Sequence, residues 1–464
     1  MLLLAKLGIT ENFWPEFKFI RKEYSATDAG VFAELQHSSW KFIKFTTDST
    51  AITMIQPPKT KELNLVIRRI SDLNKFLSVL DSNIVTELRT DFDSSIAPKN
   101  ISVLIQHFNK MSRLQTVQIH AKLLDSSHAL ALQNTLALTN ISVLDLKTCG
   151  IDDEFIAILC NALLHSRVQV LDLYSNRIGN DGVQRLAQVL SSTNIKQLVL
   201  SYNRFNIHGL QQLSSGLINS KVTSLKIPSV RIDPEPIQEF FDNIHLMNLE
   251  ALELYRNIGV ENTQMLLNSM TRSNLKKLEI EILTEYLPAF LKTVYHSKVT
   301  DLHLISNDPD ECCRILAENK EYMKLDKLRI GKGVTAKGLK DLFSAIKLVK
   351  ELDLQENFKI GDKEMEIISK YLPKTNLQKL VLSGCSFKDD GLASLMNGLQ
   401  KSSLQYLELR YMKASTEAVV SFMKGVCDSL KVLDISYGNM LDFARIRAES
   451  MRYPRLKVIK LSNW

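Results

Sequence analysis

Apolar residues recur along this chain in a short phrase of the form Leu-x-x-Leu-x-Leu, in which Ile or Val replaces some leucines. The middle leucine of the phrase returns every 27 residues through the centre of the chain, at Leu144, Leu171, Leu198, Leu225 and Leu252. A constant period of this length is the signature of a solenoid, in which each repeat stacks on its neighbours. The pattern therefore predicts one extended array rather than several globular domains.

The same register continues towards both ends of the chain. Further middle positions, which we call anchors, lie at Leu278, Leu302, Leu328, Leu352, Leu380, Leu407, Leu433 and Ile459, and before the central stretch at Ile43, Leu63, Leu88 and Val117. The fit is poorest near the N-terminus. We therefore expect an N-terminal cap with irregular repeats over residues 1–110 and a regular repeat array over residues 111–464.

Each repeat has two halves with different periodicity. The alternation of apolar and polar residues around each anchor predicts a short strand with one buried face. The second half has helical spacing, as in Val183, Leu186 and Leu190, and Asp181 is the expected N-cap of that helix. Strands stack at about 4.8 Å whereas helices are about 10 Å wide, so the helices must line the outside of a curve. The prediction is an α/β solenoid, a horseshoe with parallel strands on its concave face and helices on its convex face.

These repeats resemble leucine-rich repeats, and their long helical half is similar to the ribonuclease-inhibitor-like subclass. The best matches are LDLYSNRIGNDGVQRLAQVL (171–190) and LVLSYNRFNIHGLQQLSSGL (198–217). In this family an Asn after the strand bonds the backbone of the following turn, a role that the resemblance assigns to Asn176, Asn203, Asn257 and Asn357. Cys149 and Cys385 stand at the same place, where the family accepts Cys. Looser turns are expected where the side chain cannot form that bond, at Val230, Leu283, Gly333 and Met412.

The composition argues against some classes of function but does not identify the function. The chain is 45% hydrophobic and 23% charged, as in ordinary globular proteins, and 58 basic against 51 acidic residues give a net charge of +7. Basic residues alternate with acids, as in KKLEIEI (276–282), so we expect no nucleic-acid partner. The apolar start before Lys6 is too short for a secretory signal, and no apolar run reaches membrane-helix length. We therefore expect a cytoplasmic protein with no membrane association.

Motifs that carry chemistry are missing from the sequence. The chain has no HExxH, Gly-x-Ser-x-Gly or Cys-x-x-Cys, and Leu339 stands where a phosphate-binding loop would need Lys. The six cysteines form no disulfide framework, which fits a reducing compartment. Neither the adjacent Cys312 and Cys313 nor histidines such as His303 have ligand partners at the spacing of a metal site. We expect no catalytic residues, no metal, no cofactor and no enzyme activity.

A binding surface is predicted on the side of the strands opposite the leucines. Side chains between the leucines project there, and they include Tyr and Arg, the types enriched at interface hot spots, although tyrosines also occur simply as strand formers. Acids on the same surface favour a partner with basic patches; they are Asp172, Glu253, Glu279, Asp353, Glu408 and Asp434. The predicted partner-binding residues are Tyr174, Tyr202, Tyr255, Arg256, Tyr406, Arg410, Tyr411 and Tyr437.

The leading interpretation is a non-enzymatic scaffold that binds a partner protein on its concave face. The resemblance to leucine-rich-repeat proteins includes effectors of intracellular bacterial pathogens, which would reach the host cytoplasm without a signal peptide. Alternatives are a substrate-recognition adaptor of a ubiquitin ligase, or a cytosolic inhibitor or regulator of an enzyme or GTPase. The sequence also leaves open whether the edge of the C-terminal strand pairs with a second copy of the chain.

Overall fold

The computed structural model describes residues 85–92, 98–227, 237–254, 259–426, 429–438, 441–450, 452, 456 and 458–460, together with the backbone of three earlier strands. The chain divides into two compact units, Met1–Asn248 and Leu249–Trp464. From residue 85 onwards, strands and helices alternate along the described part of each unit. The predicted boundary near residue 110 stays a prediction.

In the first unit the strands are parallel and pair in chain order. The described strands are β1 Glu23–Ser25, β2 Phe42–Asp48, β3 Glu62–Arg69, β4 Glu87–Phe92, β5 Thr116–His120, β6 Val143–Asp145, β7 Val170–Asp172, β8 Gln197–Val199 and β9 Ser224–Lys226. The described helices are α1 Pro98–His107, α2 Ser126–Leu136, α3 Asp153–Leu164, α4 Asn180–Leu190, α5 Ile207–Leu217 and α6 Gln238–Asn243. Short 3₁₀ turns follow α1 and α6, at Phe108–Lys110 and Ile244–Leu246.

The second unit repeats this arrangement with parallel strands in chain order. Its described strands are β10 Ala251–Leu254, β11 Lys277–Glu281, β12 Asp301–Ile305, β13 Lys327–Ile330, β14 Glu351–Asp353, β15 Lys379–Val381, β16 Tyr406–Glu408, β17 Val432–Asp434 and β18 Val458–Lys460. Its described helices are α7 Gly259–Met270, α8 Leu287–His296, α9 Pro309–Glu318, α10 Ala336–Ala345, α11 Asp362–Tyr371, α12 Asp389–Leu399, α13 Thr416–Gly425 and α14 Phe443–Ser450. Three 3₁₀ turns adjoin these helices, at Thr284–Tyr286, Lys320–Tyr322 and Leu372–Lys374.

The anchors hold the strands in register. Leu171 pairs with Leu144 on one side and Leu198 on the other, and all three side chains are completely buried. The less regular N-terminal anchors also pair with one another in register, since Leu63 pairs with Ile43 and with Leu88. Burying one leucine of every repeat in a single row is what fixes the register of a sheet with one apolar face. The predicted α/β leucine-rich-repeat solenoid is therefore confirmed.

Buried or half-buried asparagines close the turns after the strands, as the resemblance implies. The side chain of Asn176 accepts hydrogen bonds from the backbone N–H groups of Cys149 and Ile151, at 3.0 and 3.1 Å, and donates to the carbonyl oxygens of Leu146 and Leu173, both at 3.0 Å. Asn203 and Asn357 make equivalent bonds. One amide thus satisfies backbone groups of two repeats that would otherwise be buried without partners. Asn257 and Val230 lie outside the described residues.

Cysteine replaces this asparagine with fewer bonds. The Cys149 thiol donates to the carbonyl of Ile119 at 3.0 Å, and the Cys385 thiol donates to the carbonyl of Leu354 at 3.5 Å. Burial raises the pKa of both thiols to about 12, so both stay protonated at neutral pH. These two cysteines are structural, as expected from their position in the repeat.

The start of one helix caps the start of the next, a relay that the sequence analysis did not predict. A carboxylate oxygen of Asp153, the first residue of α3, accepts from the Gly179 N–H at 2.6 Å, and Gly179 is the N-cap of α4. Asp362 at the start of α11 likewise accepts from the N–H groups of Lys388 and Gly391, at 2.7 and 2.9 Å. The expectation that Asp181 caps its own helix was wrong, because α4 begins at Asn180 and Asp181 lies inside its first turn.

This relay explains a glycine that recurs near the helix starts. A methyl group added to Gly391 would lie 2.5 Å from the Asp362 carboxylate oxygen, and one added to Gly209 would lie 2.7 Å from the side-chain oxygen of Asn180. Gly182 meets Asp153, and Gly338 meets Asp310, in the same way. The glycine therefore makes room for the capping oxygen of the preceding repeat.

Candidate functional site

The candidate site lies on the side of the sheet opposite the buried leucines. Residues on either side of an anchor alternate with it in burial, as in β7 and β16, where only the anchor is fully buried. We call the surface formed by these alternating side chains, and by the turn residues that follow each strand, the strand face.

In the first unit, two tyrosines from adjacent repeats contact each other on the strand face. Tyr174 is 36% exposed and Tyr202 is 50% exposed, and their ring centroids are 5.0 Å apart with the planes tilted by 57°. Asp172 fixes the backbone beside them, because its carboxylate accepts from the Tyr174 N–H at 2.9 Å. Burial raises the pKa of Asp172, against the opposing effect of that hydrogen bond. The pair gives this unit an exposed aromatic surface with two hydroxyl groups.

In the second unit, a similar aromatic pair follows β16 and β17. Tyr411 is 42% exposed, and its ring stacks on that of Tyr437 with centroids 5.1 Å apart and planes only 12° from parallel. Tyr437 itself is half-buried. The structure thus brings together these two predicted residues from adjacent repeats.

Tyr406 and Arg410 lie in the same repeat as Tyr411, and both are held by charged neighbours. The ring of Tyr406 lies between two ammonium groups, with Lys379 5.0 Å and Lys460 5.2 Å from its centroid. The guanidinium of Arg410 donates twice to one Asp434 oxygen, at 2.9 and 2.7 Å. The Asp434 side chain is fully buried, so Arg410 is a fixed part of the surface rather than a mobile cation.

Three of these tyrosines have a left-handed backbone. Tyr202, Tyr411 and Tyr437 have φ angles of 58°, 58° and 63°. The same turn position in the repeat before Tyr411 is a glycine, Gly384, with φ of 72°. A left-handed residue with a side chain costs about 1–2 kcal/mol relative to the right-handed conformation. Thr148, Ser175 and Glu356 have φ angles of 56°, 55° and 59° at the same position of other repeats, so the left-handed backbone is a feature of the turn and not of tyrosine.

Five of the six acids on the strand face lie against basic groups of the protein, and Asp172 bonds instead to the Tyr174 N–H. Glu253 lies 3.1 Å from Lys277, Glu279 2.7 Å from His303 and Asp353 3.6 Å from Arg329. Glu408 and Asp434 both lie against Arg410. The expectation of a partner with basic patches rested on free acids, and the structure does not support that basis. Each partner comes from the neighbouring strand or turn, a relation that the linear sequence does not make evident.

A row of alternating charge crosses the second unit. Successive strands place Lys277, Asp301, Lys327, Glu351 and Lys379 side by side, one position before each anchor. Lys327 lies 3.1 Å and Lys379 lies 3.7 Å from Glu351. Burial raises the pKa of Asp301, although the flanking lysines act in the opposite direction. The sequence contained the signal for this row, the residue before each anchor, which the sequence analysis did not examine.

Tyr255 and Arg256, the remaining predicted contact residues, lie outside the described residues. Within the described part of the chain, no group of three or more His, Cys, Asp or Glu side chains could hold a metal ion. Cys312 and Cys313 are both fully buried, and burial raises the pKa of each thiol, to about 12 for Cys312. The part of the chain that the structure describes contains no helix able to span a membrane.

Comparisons with known proteins agree with the repeat. A family model described as Leucine Rich repeat matches residues 168–187 and 374–396. Among solved structures, the chain is similar to the complex of Rad7 and Elc1 in yeast, with 18% identity over 78% of this chain and 87% of that chain and a TM-score of 0.43. It is also similar to the leucine-rich repeat-containing protein LegL7 from Legionella pneumophila, with 16% identity over 57% of this chain and 91% of that chain and a TM-score of 0.42. No curated protein sequence matches the chain.

Proposed function

We propose that this chain, a leucine-rich-repeat protein by its repeat and its fold, is a non-enzymatic scaffold that binds a partner protein on the strand face. One observation carries the proposal: tyrosines from adjacent repeats contact each other in each unit, as Tyr174–Tyr202 and Tyr411–Tyr437, and all of them except the half-buried Tyr437 are exposed. Adjacent rings combine into a larger apolar surface that still presents hydroxyl groups. Such surfaces supply much of the binding energy of protein interfaces at low entropic cost.

The turn after the strand determines where these rings stand. Three tyrosines have left-handed backbone angles there, as do Thr148, Ser175 and Glu356 at the same position of other repeats. The conformation costs about 1–2 kcal/mol for a residue with a side chain, and it belongs to the turn whatever residue occupies it. What distinguishes the tyrosine repeats is the exposed ring and its contact with a neighbouring ring.

The charges of the strand face favour recognition by aromatic and hydrogen-bonding contacts. Carboxylates such as Glu253 and Asp434 are already bonded to cations of this protein. A partner would have to break those partly exposed pairs before using the charges. The proposed settings, namely a cytoplasmic effector, a ligase adaptor and an inhibitor or regulator, differ in the partner and share this surface.

Affinity purification with matched variants tests the proposal. The bait carries Tyr411→Asn together with Tyr437→Asn, since asparagine removes the rings but tolerates the left-handed backbone. We expect the protein retained by the wild-type bait to decrease at least tenfold, as for the loss of interface hot-spot residues. A second bait with Tyr174→Asn and Tyr202→Asn reports whether the first unit also takes part. Arg410 is unsuitable, because its removal would leave the buried Asp434 carboxylate without its main partner.

Tyr295 provides the control. It is 40% exposed, close to the 42% of Tyr411, but it lies on α8 rather than on the strand face. The Tyr295→Asn bait should retain the same protein as the wild type. Equal retention by all the baits, or equal loss from all of them, would contradict the placement on the strand face. Substrate turnover without a stably bound protein would contradict the scaffold itself.

A further inference from the structure

A cleft in the first unit lies at the edge of the sheet where the strands begin. It has a volume of about 340 Å³ and is lined by Arg167, Gln169, Asn194, Lys196 and Lys221. The lining comes from three successive repeats, because the Lys196 N–H bonds to the Gln169 carbonyl and the Thr223 N–H bonds to the Lys196 carbonyl. Every one of these side chains ends in nitrogen donors, and three of them carry a positive charge.

Neutral amides hold two of the cations in place. The Lys221 ammonium donates to the Asn194 side-chain oxygen at 2.8 Å, and the Arg167 guanidinium donates to that of Asn140 at 2.5 Å. Asn194 is itself fixed, since its amide nitrogen donates to the Ser166 carbonyl at 3.0 Å. The two charges are therefore oriented by groups that do not neutralise them.

In the second unit, two lysines at the repeat position of Lys196 form ion pairs with carboxylates. There Lys276, which stands two residues before its anchor as Lys196 does, lies 2.7 Å from Glu250. Lys350, at the same position in a later repeat, lies 2.7 Å from Asp326. Among the described residues, no carboxylate lies within ion-pair distance of Arg167, Lys196 or Lys221. Lys431, at the same position in another repeat, also bonds to a neutral amide, that of Gln405. What sets the cleft apart is that three such cations from successive repeats line one cavity.

We propose that this cleft binds a phosphate group. A phosphate dianion presents several acceptor oxygens, and charge-assisted bonds from Arg and Lys to phosphate are among the strongest hydrogen bonds in proteins. The arginine offers a planar fork and the lysines offer point charges, which is the combination found in phosphate recognition. The cleft volume is at the lower end of the range for small-molecule sites, which fits one or two phosphate groups. The group could belong to a small molecule or to a phosphorylated protein, and the chemistry of the cleft is the same for both.

Calorimetric titration of the full chain with pyrophosphate, at constant ionic strength, tests the proposal. We expect saturable binding with one site per chain. In the variant with Arg167→Gln and Lys196→Gln, the affinity should fall by about tenfold or more, because two charged donors are lost. The matched control is Lys276→Gln with Lys298→Gln, which removes the same charge from the corresponding positions of the second unit. Lys298 bonds to Asn274 at 2.7 Å, as Lys221 does to Asn194 at 2.8 Å.

The outcomes separate a site from a general charge effect. An affinity that falls only in the cleft variant supports the proposal. If pyrophosphate affinity weakens equally in both variants, the proposal is overturned. It is also overturned if neither pyrophosphate nor a phosphoserine peptide saturates the wild type. Titration with a phosphoserine peptide and its unphosphorylated form then identifies the source. Tighter binding of the phosphopeptide indicates a phosphorylated protein, and tighter binding of pyrophosphate indicates a free anion. Thermal unfolding of each variant verifies that it is folded.

Discussion

At the residue scale, the position of a residue within its repeat determines whether its side chain is buried, but not which side chain it pairs with. The buried anchors follow from the period alone, since every repeat places its leucine at the same height in the sheet. The exposure of Tyr174, Tyr202 and Tyr411 also follows, because side chains alternate along a strand and continue into the turn. The ion pair of Arg410 with Asp434 does not follow, since it joins residues 24 apart and depends on which strands are neighbours.

The asparagine of the turn gives a prediction at this scale. Asn176→Ala removes four hydrogen bonds to buried backbone groups, so we expect a loss of about 3 kcal/mol or more in unfolding free energy. Hydrogen exchange of the Cys149 and Ile151 amides should also be faster in this variant. Asn140→Ala is the control, because Asn140 is exposed and makes only two solvent-exposed bonds, one donated to the Ser112 carbonyl and one accepted from Arg167. The unfolding free energy of Asn140→Ala should fall by less than about 1 kcal/mol. Equal losses in the two variants would contradict the role of Asn176.

At the scale of strands and helices, the sequence predicted which segments form but not how one helix supports the next. Local capping rules pointed to Asp181, which lies near a helix start and has the right chemistry. The helix instead takes its cap from Asp153, 26 residues earlier, as the Gly179 N–H shows. A capping rule that considers only neighbours in sequence cannot find a partner one repeat away. The glycine beside each capping oxygen is the signal that would have revealed it.

Removing one member of this relay should destabilise the following repeat. Asp362→Ala takes away the oxygen that accepts from the N–H groups of Lys388 and Gly391. We expect a loss of about 1–2 kcal/mol, as for other helix caps, measured by denaturant unfolding. Asp390→Ala is the matched control, since Asp390 is exposed in the first turn of α12 and is not a capping residue. A loss as large from Asp390→Ala would show that helix charge, and not the cap, matters.

The charge row across the second unit gives a pH-dependent prediction. Burial raises the pKa of Asp301 above its ordinary value of 3.8. Between the two values the folded state binds more protons than the unfolded state, so stability falls as pH rises through this window. Asp301→Asn should therefore raise stability at pH 7, by a few tenths of a kcal/mol because the group is partly exposed. The gain should vanish below pH 3.8, and denaturant unfolding at both pH values would measure it; a gain that grew on acidification would contradict this account.

At the scale of the whole molecule, periodicity was the strongest signal. It located strands as irregular as β2 and β3, because stacking imposes the same register on every repeat whatever its turn looks like. The sequence alone does not identify the partner. A solenoid fold is shared by proteins with many partners, so function depends on the side chains that one face presents. The sequence predicted the tyrosines on that face, but only coordinates reveal that they form adjacent pairs and that most of the acids on that face lie against basic groups of the protein.

The most direct test of the strand face is site-specific photocrosslinking. A benzophenone amino acid is placed at Tyr174, Tyr202 or Tyr411, and at Tyr295 on helix α8 as the control of similar exposure. The account predicts that strand-face positions of at least one unit crosslink a partner protein and that position 295 does not. Crosslinks from position 295 alone, or equally from all the positions, would contradict it.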